Sequence, residues 1–256
     1  MLNLTLNSRS SKTTGCHVTH RAGAGERFKT CPVSCSLNPT RRGSRKVDPE
    51  YLAALARARP RNGVSMTYSH FDPSQWHGFD DINFIDDRTV INWSIDGADQ
   101  LVEELPRIDR QKIPAAVVFS PGDKLPAEIA KRVVRCPAET RAISCGGGID
   151  ATGRVTSPCG GGRPLCGRTY DDRGGLIIGF TAHGSGKRLA VDAETRGGCY
   201  ANYWRVAKTW QKTADQETPA ANDAELLKDW IELINRVYPR GGQIVRHHIA
   251  GDLGRD

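Results

Sequence analysis

Three cysteines at two distant places in the chain have the residue type and spacing of a metal centre. Cys31 and Cys35 are the two ends of a Cys-Pro-Val-Ser-Cys segment, and Cys199 lies far along the chain in Gly-Gly-Cys-Tyr-Ala-Asn. Three thiolates are one fewer than the four that close a structural metal site. An iron–sulfur cluster held by three thiolates keeps one iron open to a ligand or substrate. The pattern therefore indicates a catalytic centre.

Zinc is the alternative metal for the same three cysteines. Cys16, His17 and His20 precede them in the chain and offer thiolate and imidazole donors for a fourth position. A site completed in this way would be closed and structural. The sequence leaves both metals open.

A second group of four cysteines lies in a segment with two runs of three glycines, at positions 146–148 and 160–162. Glycine lets a backbone wrap tightly round a metal ion. Four thiolates with no histidine among them suit a closed tetrahedral zinc site or a second, fully ligated iron–sulfur cluster, which would hold the loop in place. These cysteines are Cys136, Cys145, Cys159 and Cys166.

The composition favours one large domain of a soluble, cytoplasmic protein. The chain has 256 residues, 38% of them apolar, which is enough for a continuous core. It has no run of eighteen apolar residues, and its first residues lack both a charged start and a long apolar core, so we expect no membrane partner. Eight cysteines in a reducing compartment indicate metal ligation rather than a disulfide framework.

The formal charge of +7 favours an anionic partner, and nucleic acid is the commonest one. Basic residues are dispersed along the chain except for one local run at positions 41–46. The alternative interpretation of that run is a solvated loop.

Hydrophobic periodicity divides the chain into a cysteine-containing N-terminal loop region, 1–46, and an α/β barrel domain, 47–256, with a cysteine- and glycine-rich insertion at 136–174. Residues 1–46 show no helical or strand period. Helices are predicted at 48–59, 98–105 and 222–237, and strands at 64–70, 89–95, 115–120, 133–136, 176–180 and 243–249.

Helices that alternate with short apolar strands indicate a parallel sheet. Several predicted strands end in polar residues, and in a parallel barrel such ends converge on one mouth, where functional sites usually lie. The alternative for about half of these side chains is a structural role in buried hydrogen bonds. The polar residues are His70, Asn92, Ser94, His183, Arg246, His247 and Asp252.

Six short motifs resemble a family of phage- and plasmid-encoded proteins related to radical S-adenosylmethionine proteins. The family is marked by Cys-Pro-x-x-Cys-x-Leu and Gly-Cys-Tyr-Ala, which match residues 31–37 and 198–201. Its Thr-Tyr-x-His, Asn-x-Ser and Gly-Asp-Leu segments and its final strand are similar to further stretches of the chain. Those stretches are residues 67–70, 92–94, 251–253 and 180–184.

The order of the motifs differs from the family pattern. In the family, Gly-Cys-Tyr-Ala and the Gly-Asp-Leu strand directly follow the first cysteine pair, whereas here they come last. Moving residues 198–256 to a place between 37 and 48 restores the family order. The resemblance therefore implies a parallel, partial TIM-type barrel of the radical S-adenosylmethionine kind that is circularly permuted, which a barrel tolerates when the new ends lie in loops.

By this resemblance, Cys31, Cys35 and Cys199 would bind a 4Fe–4S cluster, and S-adenosylmethionine would be the second cofactor. The strand-end residues would surround it at the mouth of the barrel, with Asp252 in contact with a hydroxyl or an amine. The implied catalytic residues are His70, His183 and Asp252, and the implied cofactor-binding residues are Asn92, Ser94, Arg246 and His247.

Two functional hypotheses follow. The first is an iron–sulfur protein of a mobile element that cleaves S-adenosylmethionine reductively, with an unknown substrate. The second is a non-enzymatic zinc protein that binds nucleic acid or a host factor through its basic surface.

Overall fold

The structure is a computed structural model that describes residues 2–6, 16–21, 47, 49–76, 88–119, 122–137, 148–149, 155–156, 163–181 and 223–247. The strands are β1 (Leu2–Thr5), β2 (His17–Arg21), β3 (Val64–Ser69), β4 (Thr89–Asp96), β5 (Ala115–Phe119), β6 (Val133–Arg135), β7 (Gly148–Ile149), β8 (Val155–Thr156), β9 (Ile177–Thr181) and β10 (Ile244–Arg246). The helices are α1 (Pro49–Arg57), α2 (Gly97–Gln111), α3 (Ala127–Ala130) and α4 (Asp223–Val237), and short 3-10 turns span Pro73–Gln75 and Leu165–Gly167.

Eight of the strands form one sheet in the order β1-β2-β10-β3-β4-β5-β9-β6. In this sheet order, the seven strands that run from β2 to β6 are parallel, and only β1 is antiparallel to its neighbour. This confirms the predicted parallel α/β fold. The parallel strands begin at one edge of the sheet, called the amino edge below, and end at the other, the carboxyl edge. Among the helices that the structure describes, none has the length and apolarity needed to cross a lipid bilayer.

The sheet is strongly curved. β3 and β9 are three positions apart in the sheet, so a flat sheet would separate them by about 14 Å. The rings of Tyr68 on β3 and Phe180 on β9 nevertheless meet edge to face, with their centroids 5.8 Å apart. The two side chains reach each other across a concave inner face, as they do inside a barrel.

Each face of the sheet has its own core. On the outer face, Ile91, Trp93 and Ile95 of β4 pack with residues of α1, α2 and α4 in the larger hydrophobic cluster. On the inner face, alternate residues of the same strands form a smaller cluster that includes Met66 and Ile178. Burial on both faces explains why the strands of this sheet read as nearly continuous apolar runs.

The structure differs from the sequence-based expectation in the N-terminal region, in helix α2 and in the short elements α3, β7 and β8, which were not predicted. Residues 1–46 were expected to be mostly loop, but β1 and β2 belong to the main sheet. The alternating Leu-Asn-Leu-Thr-Leu opening is the period-two signal of β1. Helix α2 was expected to end before Pro106, but it continues to Gln111, because Leu101 and Ile108 are both fully buried and hold the two halves of the helix in one core.

An ion pair fixes the turn that follows β3. Arg107 of α2 donates two hydrogen bonds, of 2.8 Å and 2.5 Å, to the carboxylate of Asp72. The same carboxylate caps the 3-10 turn by accepting from Ser74 N at 2.8 Å. The bonds from Arg107 hold the pKa of Asp72 well below its usual value. The turn is therefore attached to α2 near the carboxyl edge.

We predict that Asp72→Asn lowers the free energy of unfolding by about 1 kcal/mol at pH 7, because a half-exposed ion pair is lost while an acceptor for Ser74 remains. Asp72→Ala also removes the cap and should cost about 1 kcal/mol more. The lowered pKa means that the unfolded state binds a proton more readily than the folded state. The difference between wild type and Asp72→Asn should therefore begin to shrink as the pH falls below about 4 and should be lost only at the much lower pH at which the folded carboxylate takes up its proton. Urea unfolding at a series of pH values from about 7 down to about 2 tests this, and a difference that stays constant over the whole series would contradict it.

Candidate functional site

A histidine and a carboxylate meet at the carboxyl edge of the sheet. His70 directly follows β3 and Asp96 is the last residue of β4, and their Nε2 and Oδ1 atoms are 3.7 Å apart. The two side chains are 26% and 17% exposed, so both are reachable from solvent. The backbone N–H of Asp96 donates to Gln100 Oε1 at 2.8 Å, which fixes the end of β4. An imidazole beside a carboxylate can take up and release a proton, so this pair is chemically competent.

Below this pair, aromatic and cationic side chains line the inner face. The guanidinium of Arg246, on β10, lies over the ring of Tyr68 at 5.2 Å from its centroid. Tyr68 in turn meets Phe180 across the interior. Ser94 of β4 lies on the same face and is 7% exposed. Together with His70 and Asp96, these residues form a polar and aromatic surface that we call the carboxyl rim.

The inner face also contains a buried hydrophobic cluster with three cysteines from separate segments. Cys16 precedes β2 and Cys166 lies in the turn before β9, both towards the amino edge, whereas Cys136 directly follows β6 at its carboxyl end. Burial raises the pKa of Cys16 to about 11 and that of Cys166 to about 11. A side-chain hydrogen bond links Cys166 to Tyr68. These two thiols are therefore protonated and unreactive at neutral pH.

The structure describes two of the four cysteines predicted to form the second metal site. Cys136 and Cys166 lie in one cluster, whereas Cys145 and Cys159 lie outside the described residues. No three His, Cys, Asp or Glu side chains of the described part of the chain are grouped so that they could hold a metal ion. Cys16, a candidate fourth ligand for the first site, immediately precedes β2 at the amino edge and joins this cluster instead.

Asn92, predicted to bind a cofactor, holds the interior together. It is fully buried on β4, and its Nδ2 donates to the carbonyl oxygens of Thr67 at 3.1 Å and Cys166 at 2.9 Å. Its Oδ1 accepts from Arg173 at 2.8 Å. Both donors of the amide are thus used within the protein.

Arg173, which no sequence pattern marked, is the buried partner of the Asn92 side chain. Arg173 is 3% exposed, and its guanidinium donates to Asn92, to Ala115 O at 3.2 Å and to Arg168 O at 2.6 Å. Burial lowers the pKa of Arg173. A run of Asp-Asp-Arg-Gly-Gly resembles any exposed turn, so no local signal marks this arginine as buried.

Arg173 belongs to a loop, residues 163–176, that covers the amino edge and that we call the amino-edge loop. Gly167 in this loop lies so close to β3 that an added Cβ would come within 2.5 Å of Val64 Cγ1. Farther along the loop, Tyr170 donates to Asp109 Oδ1 of α2 at 2.8 Å. Arg132 also donates to both oxygens of Asp109, at 2.7 Å, and these bonds lower the pKa of that carboxyl group. The loop is thus fixed to the sheet and to a helix.

Two histidines lie on the outer face, away from the rim. His247, predicted to bind a cofactor, is fully buried where the chain leaves β10, and its backbone N–H donates to Met66 O at 2.8 Å. Burial lowers its pKa to about 4. His17 of β2 packs against Trp230 and Tyr238 and lies 3.2 Å from Gln243 Oε1. His17 is therefore held in a helix–sheet interface.

The remaining predicted site residues lie outside the described residues. They are Cys31, Cys35, Cys199, His183 and Asp252. Of the predicted mouth residues that the structure describes, it brings His70, Ser94 and Arg246 to the carboxyl rim. It gives Asn92 and His247 internal positions.

The comparisons with known proteins add no relative: no protein-family model, no curated protein and no solved structure matches the chain. Statements about its site therefore depend on its own residues and on the motif resemblance.

We predict that Asn92→Ala lowers the free energy of unfolding by about 2–4 kcal/mol, because it deprives a buried guanidinium and two buried carbonyls of a partner. Ser94→Ala, two residues along the same face, is the matched control and should cost less than about 1 kcal/mol. Urea denaturation of both variants measures the difference. Equal losses in the two variants would show that the contact between Asn92 and Arg173 contributes little.

A second prediction concerns acid stability. Because the pKa of His247 is lower in the folded than in the unfolded protein, its contribution to stability is present above about pH 6.5 and is lost as the pH falls towards 4. Between pH 7.5 and pH 5 this residue alone should account for about 2 kcal/mol of the lost free energy of unfolding. His247→Gln should reduce the pH dependence by that amount, whereas Ser94→Ala, which changes no titrating group, should leave it unaltered. A slope in His247→Gln equal to that of wild type would contradict this.

Proposed function

We propose that the protein is a radical S-adenosylmethionine-like protein in which Cys31, Cys35 and Cys199 hold a 4Fe–4S cluster. Its barrel, on this proposal, is a circularly permuted form of the radical S-adenosylmethionine kind. The observation that carries the proposal is the curved, all-parallel sheet with a polar rim at its carboxyl edge. In parallel α/β barrels, catalytic and cofactor-binding residues lie at that edge.

The position of β10 supports the permuted barrel. β10 is the last described strand of the chain, but in the sheet it pairs with β2 on one side and β3 on the other. This is the place that a strand from the moved segment, 198–256, would occupy if that segment followed residue 37. The helix that precedes it, α4, packs beside α1, so the whole α4–β10 unit lies between β2 and the α1–β3 unit.

The position at which β2 ends is consistent with the cluster ligands. β2 is parallel to the other strands and ends at Arg21 on the carboxyl edge, and Cys31 follows ten residues later in the sequence. The described thiols offer no rival ligand set, since Cys16 and Cys166 are buried at the opposite side of the inner face. The donor set at the rim fits the second cofactor, because Ser94, His70 and Asp96 supply hydroxyl, imidazole and carboxylate groups.

The residues of the carboxyl rim would have different roles in the reaction. An iron–sulfur cluster bound beside S-adenosylmethionine supplies the electron for reductive cleavage of its sulfonium. Ser94 and Asp96 would orient the cofactor by hydrogen bonds, and His70 would exchange a proton with Asp96 or the substrate. Packing of the amino half, below Tyr68 and Phe180, keeps water from entering the reacting space from that side.

The test is the metal content and visible absorbance of protein purified without oxygen. Wild type should contain about four irons with acid-labile sulfide, and its spectrum should change when S-adenosylmethionine is added. Cys199→Ala should lose the iron, because two thiolates do not retain such a cluster. Cys16→Ala, the matched control, should keep it.

Two outcomes would reject the proposal. Full iron retention in Cys199→Ala would remove that residue from the ligand set. Zinc alone in a colourless protein that loses its metal in Cys16→Ala would favour the non-enzymatic zinc protein. For that case, binding to DNA that falls steeply with added salt would support a nucleic-acid partner.

A further inference from the structure

The cation–π contact between Arg246 and Tyr68 on the inner face points to a ligand. Both side chains are partly exposed, as is Phe180, which meets Tyr68 across the interior. The contact with Tyr68 holds the guanidinium beside the aromatic rings, and a guanidinium in this position is suited to donate paired hydrogen bonds to a phosphate or carboxylate.

Among the described residues, access to these three side chains is from the carboxyl edge. Cys16, Cys166 and the amino-edge loop fill the inner face towards the amino edge, where Asn92 and Arg173 bind the loop to the sheet. Towards the carboxyl edge, the next inward-facing residues are His70 and Asp96, whose side chains are partly exposed. A ligand that enters over the carboxyl rim therefore meets aromatic rings and a guanidinium together.

We propose that this surface binds an anionic aromatic ligand of mononucleotide size. The planar base packs on Phe180 and Tyr68, and Arg246 donates to the phosphate. Aromatic rings stack on bases with little sequence preference, and arginine recognises phosphate by its planar fork. The net charge of +7 favours approach of such an anion.

This inference deepens the proposed function, because it names the substrate class of the same site and rests on that proposal for the reaction. The binding step itself needs neither cluster nor S-adenosylmethionine. It can therefore be measured on metal-free protein, where a failure of the iron assignment leaves it unaffected.

The experiment is a calorimetric titration of the full chain with thymidine 5′-monophosphate at low salt, with thymidine as the ligand that lacks the charge. We expect the monophosphate to bind and thymidine to bind more weakly. Arg246→Gln should weaken monophosphate binding by about tenfold to a hundredfold, the value of a charge-assisted pair of hydrogen bonds, and should change thymidine binding little. Tyr68→Leu should weaken both ligands, whereas Tyr68→Phe, which keeps the ring, should bind like wild type.

Arg135→Gln is the matched control, since Arg135 also stacks on a phenylalanine, Phe119, at 4.4 Å, but on the outer side of the sheet. It should bind the monophosphate like wild type. An equal loss in both arginine variants, or no monophosphate binding by folded wild type, would overturn the proposal.

Titration with an oligothymidylate distinguishes two sources of the ligand. Tighter binding of the oligothymidylate than of the monophosphate, with the same dependence on Arg246, indicates the end of a nucleic-acid strand. Equal or weaker binding indicates a free nucleotide.

Discussion

The rest of the structure depends on the hydrogen bonds of the Asn92 amide, which connect the sheet to the amino-edge loop. One side chain joins β3, through Thr67 O, to the amino-edge loop, through Cys166 O and Arg173. A buried guanidinium is costly unless its donors are satisfied, and here Asn92 Oδ1, Ala115 O and Arg168 O accept from it. These bonds close the amino half of the interior, so that among the described residues the accessible side of the inner face is the one towards the carboxyl edge.

The curvature of the sheet brings two aromatic side chains together on that side. Tyr68 and Phe180 lie on strands three positions apart, and they touch only because the sheet bends round the interior. The contact separates a lower layer of protonated, buried thiols from the rim above. The same eight-cysteine chain thus contains thiols that burial makes unreactive, Cys16 and Cys166, and others whose sequence motif resembles a cluster-binding segment.

Much of the fold could be predicted because local signals agree with the tertiary structure. Strands β3 to β6, β9 and β10 and the helices α1 and α4 have strong periodicity and clear turn residues at their ends. The misses have physical causes. β2 is short and polar, and it becomes a strand by pairing with β10. The partners of His17 and Val18 in that pairing, Val245 and Arg246, each lie 228 residues further along the chain.

The sequence by itself determined the alternation of helices and strands, the parallel sheet and the polar character of the strand ends, because these depend on residue type and spacing within short segments. Only the tertiary structure decided what each polar residue does. Inward alternation brings His70, Ser94 and Arg246 to the rim, whereas Asn92 meets a buried arginine and His247 falls on the outer face. Those outcomes depend on the curvature of the sheet and on which distant segment packs against it, and neither property is encoded in local spacing.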